Sequence, residues 1–299
     1  MKKCFTINCM RTNEDFDGYE EILENGLYQG IELFYPYNVS LEQKELYSSR
    51  VKRLIEKCHP EVVLHLPHGH NNDLLGSNKG EVYQRMCDAI DYANMFGVKK
   101  LTLHLGSYPL EISRENAVNE VIKVVKDLCN YALKYGMFIM IENMPGYNEL
   151  GYSPEEILYI IKMINSSNIK FILDTGHAHV SDYEITEYID LLSDYLYHMH
   201  FSDNSGKTDE HKRVNSGTID FVSVFKALNK ISYHELHCME VLFKKYTDLI
   251  EYAKDILTMD ITLQLKKKQS LSKKQVLMEY FYLLILYLRK NMLWRLNMV

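Results

Sequence analysis

The sequence has no Cys-x-x-Cys pair; its six cysteines, at positions 4, 9, 58, 87, 129 and 238, are scattered along 299 residues. That spacing excludes a disulfide framework and fits thiols kept in a reducing compartment. Long apolar runs are missing too. The longest, Val276–Leu288, is apolar apart from Glu279 and holds 13 residues, against the roughly 20 that cross a bilayer. Met1-Lys2-Lys3 opens as a secretion signal does, but Asn8 interrupts and Arg11 ends the apolar stretch behind it, which is too short for a signal core. A cytoplasmic protein is expected. The biases of collagen and of low-complexity disorder are absent: 46% hydrophobic, 25% charged and 12% aromatic residues make an ordinary globular chain.

Positive charge is in deficit. A net charge of −6 argues against a nucleic-acid binder driven by bulk electrostatics. The charge is also uneven. Residues 266–299 hold eight Lys or Arg and one acid, Glu279, so they carry +7 and leave −13 on the other 265 residues. The chain reads as an acidic body with a basic tail.

Three nucleotide and nucleophile signatures are absent: G-x-G-x-x-G, G-x-x-x-x-G-K and G-x-S-x-G. What is present is a regular alternation. Short β-branched, apolar runs occur at Lys3–Met10, Gly30–Tyr35, Val62–Leu66, Lys100–Leu105, Phe138–Ile141, Lys170–Leu173, Tyr197–Phe201 and Leu236–Val241. Helical stretches separate them. Ser40 and Ser153 are placed to cap helices, Ser153-Pro154-Glu155-Glu156 as a capping box. Asp220 is placed to cap Phe221–Asn229, and Gly97 and Gly136 stand where helices end.

Eight βα units in about 260 residues mean either a (β/α)8 TIM barrel or an open doubly wound sheet. The polar residues decide. His65, His104, Glu142, Asp174, His200 and Glu240 stand at successive strand ends, 39, 38, 32, 26 and 40 residues apart. In a closed barrel they converge on one mouth; in an open sheet they would be strung along an edge. An α/β fold of the TIM-barrel type is therefore expected. Carboxylates and imidazoles packed together repel and cost several kcal/mol in desolvation unless a cation joins them. Mixed Glu, Asp and His ligands without Cys suit Zn, Mn, Mg or Co.

These residues sit in recognisable surroundings: His65-Leu66-Pro67-His68, Leu103-His104-Leu105-Gly106, Ile141-Glu142-Asn143, Leu173-Asp174-Thr175-Gly176-His177, His198-Met199-His200-Phe201-Ser202-Asp203, Asp209-Glu210-His211, Gly217-Thr218-Ile219-Asp220 and Met239-Glu240-Val241. With them, from about residue 60 to 242, the chain resembles the xylose-isomerase-like TIM-barrel superfamily of sugar isomerases and epimerases and endonuclease IV-type repair enzymes. The resemblance implies a metal site of Glu142, Asp174, His200 and Glu240, with Glu142 and Glu240 as acid and base. The leading expectation is a divalent-metal-dependent isomerase or epimerase acting on a sugar or sugar phosphate through an enediolate.

The alternative is an endonuclease IV-type zinc phosphodiesterase that cleaves DNA at abasic sites. There the resemblance implies three ions on nine residues: His65 and His104 with a bridging Glu142; Asp174, His200 and Glu240; and His177, Asp209 and His211. The cofactor is then one to three divalent ions. Against this alternative, the segment after the first strand, Met10 to Asp17, is acidic and lacks the glycines of the repair enzymes. Nucleic acid is a partner under this alternative only.

His68, Lys207 and Arg213 are candidates for substrate contact, the two cations for a substrate phosphate. His198 is expected one layer beneath His200, and His59, His179, His234 and His237 are expected to be structural. The catalytic domain should span 1–260, ending with a helix at Tyr246–Met259. Residues 261–299 form a C-terminal extension, expected to be helical and to cover the barrel or join subunits in a homo-oligomer. Its basic-then-apolar pattern is also one that membrane surfaces attract.

Overall fold

The computed structural model describes residues 2–267, with the side chains of all of these except His70 and 257–267. Eight parallel strands close into a barrel in sequence order. They are β1 (Lys2–Ile7), β2 (Gly30–Phe34), β3 (Glu61–His65), β4 (Lys100–Leu103), β5 (Phe138–Glu142), β6 (Ile169–Asp174), β7 (Leu196–Phe201) and β8 (Leu236–Met239). β8 returns to β1 along the register Lys2↔Leu236 to Phe5↔Met239. The fold is the expected TIM barrel.

Outside it lie α1 (Asn13–Glu24), α2 (Leu41–Cys58), α3 (Lys79–Asn94), α4 (Arg114–Leu133), α5 (Pro154–Ile164), α6 (Thr175–Val180), α7 (Ile185–Leu191), α8 (Phe221–Lys230) and α9 (Tyr246–Lys267). Each longer helix lays an apolar stripe on the sheet. In α5, Ile157, Ile160, Ile161 and Ile164 follow the helical repeat and are buried, each contributing about 1.5–3 kcal/mol. α9 runs past Met259 to Lys267, through the point at which the body was expected to end. The Val276–Leu288 segment lies outside the described residues. Among the described residues no helix is long and apolar enough to cross a membrane.

The helix starts follow the sequence signals, with one difference. Ser40 and Gln43 form a reciprocal box at α2, and Asp220 accepts from the Ser223 amide at α8. Ser153 caps α5 by accepting from the Glu156 amide, but Glu156 does not reach back to it. The Glu156 carboxylate instead takes the Gly151 amide at 2.7 Å and a two-pronged pair from Arg114 at 2.6 and 2.8 Å. A charge-assisted pair outcompetes the local box.

Strand parity positions the site. Residues two apart face the same side, so one set of alternating side chains lines the interior. β7 carries an extra residue: Phe171 pairs with Leu196, but Ile172 pairs with His198. Tyr197, the residue passed over, packs on the interior cluster formed by Cys4, Val63, Met140, Ile172, Leu236 and Cys238. Beyond this bulge His198 and His200 both contact Glu32 inside the barrel. At the floor, Lys100 Nζ lies 2.8 Å from Glu61 and 2.6 Å from Glu235, and over the Tyr197 ring.

Candidate metal centre

The mouth gathers its donors from the strand ends and from two short pieces of chain that follow them. Glu142 ends β5, Asp174 ends β6, His200 lies in β7, and Glu240 directly follows β8, its amide bonded to the Phe201 carbonyl. Asn143 ties two of these ends together: its Oδ1 accepts from the Asp174 amide at 2.8 Å and its Nδ2 donates to the Asp174 carbonyl at 3.0 Å. Asp174 then caps α6, with Oδ1 accepting from the His177 amide at 2.7 Å. This turns His177 into the mouth. A Cβ at Gly176 would collide with Ser202 Oγ, which is why the tight turn carries glycine.

The loop after β7 is pinned by Asp203, which accepts from the amides of Gly217 and Ile219 and bridges to Lys212. The pinning presents Asp209 and His211. His211 sits at φ 45°, a left-handed conformation uncommon for a side chain of its kind. Its Nδ1 donates to the Glu240 carbonyl at 3.0 Å.

Three clusters result, and they adjoin. In the first, Glu142 Oε2 lies 2.9 Å from His104 Nε2 and 3.6 Å from His65 Nε2. In the second, His200 Nδ1 faces Glu240 Oε2 at 2.7 Å, Glu142 Oε1 at 3.1 Å and Asp174 Oδ2 at 3.9 Å. In the third, Asp209 Oδ2 lies 2.8 Å from His211 Nε2 and 3.3 Å from His177 Nε2. Glu142 belongs to both the first and the second, and its Oε1 is 3.5 Å from His177 Nδ1. All nine residues singled out in the sequence are thus brought together.

The hydrogen bonds behind the imidazoles determine what these contacts can hold. A carbonyl or carboxylate oxygen only accepts, so the ring nitrogen facing it carries the proton. His65 Nδ1 faces the Leu66 carbonyl, His177 Nδ1 the Asn143 carbonyl, and His211 Nδ1 the Glu240 carbonyl. His200 Nε2 faces Glu32, 2.8 Å away. In each ring the other nitrogen faces carboxylate oxygens as well, so without a metal ion it too carries a proton, and with one it offers a lone pair. Lone pair against carboxylate is repulsive unless a proton or a metal ion lies between them, and an outer acceptor behind each ring is how metal-bound histidines are held. Asp174 Oδ2 and Asp209 Oδ1 are buried without a hydrogen-bond partner. In the first two clusters the donor atoms all lie within 4.8 Å of one another, a set that fits a divalent cation in each, and in the third Asp209 lies between two imidazoles.

Charge on the side chains is distorted accordingly. Burial pushes Glu142 up, but His200 and His104 hold its carboxyl well below the ordinary range. Burial raises Asp174 to about 7 against the pull of His177, with Glu240 and Glu142 adding to the push. Burial works to lower His177, His200 and His211, yet nearby carboxylates raise all three, His211 to about 9.

His68 stands beside the first cluster, its ring centre 4.6 Å from that of His65 and 5.2 Å from that of His104. Burial, with His65 and His104 nearby, lowers it to about 3. Lys207 is exposed on the loop after β7. Arg213 departs from its expected place at a substrate phosphate. It clasps Asp255 of α9, with Nη2 2.7 Å from Oδ1, and lies over the Tyr252 ring. Two carboxylate bonds leave that guanidinium a brace between loop and helix. His59 ends α2 in a left-handed conformation, and His237 donates to the Lys2 carbonyl.

Thr102 has no place among the residues expected from the sequence, and Glu32 and Asn143 stand there as motif residues without a role. Glu32 Oε1 accepts from Thr102 at 2.8 Å, and Oε2 accepts from both His198 and His200. Strand parity was the available signal, since Glu32, Thr102 and His198 all fall at inward positions.

A family model for the xylose isomerase-like TIM barrel matches residues 19–256. The chain belongs to this family. Among its relatives, an uncharacterised protein of Methanocaldococcus jannaschii is 28% identical over 228 residues, 73% of this chain and 72% of the relative. A probable endonuclease 4 of Campylobacter hominis is 25% identical over 221 residues, 66% of this chain and 76% of that one. The crystal structure of a D-tagatose 3-epimerase-like protein superposes with a TM-score of 0.74 at 22% identity, covering 89% of this chain and 99% of that one. That last likeness shows the fold alone.

Proposed function

We propose that the chain is a multinuclear, divalent-metal-dependent phosphodiesterase of the endonuclease IV kind, which reverses the order of the two readings expected from the sequence. The observation that carries it is the third cluster. An enediolate reaction on one ion employs Glu142, Asp174, His200 and Glu240 and leaves His177, Asp209 and His211 without a task. Yet Asp209 Oδ2 is held between two imidazole nitrogens, each oriented by a carbonyl behind it.

Charge supports the same reading. The mouth holds four carboxylates, Glu142, Asp174, Asp209 and Glu240, a formal −4 that three divalent ions turn to +2. A phosphodiester then meets a positive mouth on an acidic body. Bound there, divalent ions supply an activated water and neutralise the phosphate oxygens. The protein's own part is to hold Glu142 between the first two clusters and Asp209 in the third, and to keep the imidazoles in one tautomer. Lys207 on the exposed loop is the remaining candidate for the substrate phosphate, and neutral His68 for a hydrogen bond to substrate.

A second reading has its own support. The segment opening α1 carries Glu14, Asp15 and Asp17, which repel a nucleic-acid backbone. Glu142 and Glu240 converge on His200 from β5 and from the end of β8, and two carboxylates in one mouth are the acid–base pair that exchange of the proton alpha to a sugar carbonyl employs.

One experiment separates them. The metal-loaded chain is incubated with a duplex bearing a single abasic site, and in parallel with ketoses and sugar phosphates in heavy water. Nicking 5′ to the lesion, lost in His211→Ala, with three ions bound at the mouth of each chain, is expected. Deuterium incorporation lost in Glu240→Gln, with one ion at the mouth of each chain and no nicking, overturns the proposal in favour of isomerase chemistry.

A further inference from the structure

Beneath the mouth, inside the barrel, lies a second group of donors that neither reading of the mouth employs. Cys4 of β1, Glu32 of β2, His198 of β7 and Cys238 of β8 come from four consecutive strands of the closed barrel. One donor atom from each lies within 4.8 Å of the others. All four residues have no solvent exposure. Cys4 and Cys238 are direct partners in the β1–β8 ladder, and both are free thiols.

Their surroundings make this an odd place for polar groups. Val63, Met140, Ile172 and Leu236 fill the same layer. A buried carboxylate there costs several kcal/mol unless it is compensated. Glu32 takes three hydrogen bonds, from Thr102, His198 and His200. His198 is poorly satisfied: Nε2 is engaged by Glu32, and Nδ1 is buried with only the weakly bonding Cys4 sulfur beside it. An apolar side chain at position 198 would avoid that loss, which amounts to about 1–3 kcal/mol.

We propose that Cys4, Glu32, His198 and Cys238 form a buried structural site for a thiophilic divalent cation, zinc before all others. Two sulfurs, one imidazole and one carboxylate are a zinc donor set, and four protein ligands leave no open position for chemistry. Tetrahedral zinc with bonds of about 2.0–2.3 Å holds its donors roughly 3.3–3.8 Å apart, a small contraction of the cluster as it stands. Each thiol releases its proton to solvent as its sulfur binds the ion, so uptake strengthens as pH rises. The ion staples β1 and β2 to β7 and β8, across the β8–β1 closure of the barrel. Glu32 also accepts from His200, so the site braces the floor of the mouth.

Sulfur distinguishes this site from the mouth, whose nine donors are all oxygen or nitrogen. The test uses the full chain, kept reduced, stripped and reloaded with cobalt(II). A near-ultraviolet sulfur-to-cobalt charge-transfer band is expected in the native protein and in Glu142→Gln, whose mouth is impaired. The band is expected to vanish in the Cys4→Ala/Cys238→Ala double variant, with the loss of one bound ion per chain. If the double variant does not fold, Cys238→Ser carries the test, since serine preserves size and removes one sulfur. Cobalt bound without the band overturns the proposal, as does a band that survives removal of both sulfurs. So does an intact mass showing a Cys4–Cys238 disulfide in protein purified under reducing conditions. None of these outcomes depends on whether the mouth hydrolyses or isomerises.

Discussion

The two ends of the barrel handle buried charge in opposite ways. At the floor, the Lys100 ammonium meets two carboxylates, Glu61 and Glu235, and the face of Tyr197. With Lys2 Nζ 3.4 Å from Glu61 as well, two ammonium groups match two carboxylates within the protein, and the group is complete. At the mouth, carboxylates are set against imidazole lone pairs, with buried acid oxygens left unpaired on Asp174 and Asp209. That end is balanced only by taking up protons, which is why His177, His200 and His211 are raised, or by a cation in their place. A charge cluster built for stability closes on itself, and one built for binding leaves a defined charge unbalanced.

Breaking the mouth has the largest effect. Glu142→Gln removes the carboxylate shared by two clusters and should lower turnover by about a thousand-fold or more, with loss of bound metal measured by elemental analysis. Asp209→Asn should cost about 100-fold in phosphodiester cleavage. A sugar exchange activity that survives this change unaltered would show the third cluster to be dispensable.

Breaking the floor acts on stability alone. Lys100→Met leaves Glu235 without this cation and Glu61 with only the more exposed Lys2. Since both acids are about one-third exposed, the cost should be about 2 kcal/mol, read as a drop of roughly 4–8 °C in Tm at unchanged kcat.

The pH dependence sharpens the contrast further. Asp174, raised from 3.8 to about 7, contributes stability that is lost as pH climbs through that range. His211, raised from 6.5 to about 9, likewise contributes stability that is present below 6.5 and lost toward 9. Chelator-treated protein should therefore show a Tm that falls between pH 6 and 9. Metal-loaded protein, with ions in place of those protons, should show a flatter profile. The smallest effect is local: Ser153→Ala removes the cap of α5 and should cost about 1 kcal/mol by denaturant titration.

The mouth was more legible in the sequence than the layer beneath it. Metal-type residues at strand ends spaced by one βα unit announce themselves, because that spacing returns each to the same rim. Glu32, Thr102 and Cys238 sit mid-strand, where an inward position is visible only once parity and register are known. The bulge at Tyr197 shifts that parity without any signal such as glycine. Arg213 was misplaced for a related reason: its partner Asp255 lies 42 residues away, and charge alone does not say which acid a guanidinium meets.

By itself the sequence determined the eight-fold βα alternation, the barrel and the nine residues that converge on its mouth. These depend on local propensity and on a repeat length that the chain carries openly. Only the tertiary structure decided which of these residues cluster together, which nitrogen of each histidine faces the carboxylates, and that two distant cysteines meet a carboxylate and an imidazole in the interior. Those facts depend on closure of β8 against β1 and on hydrogen bonds between segments far apart in the chain, and linear spacing does not encode them.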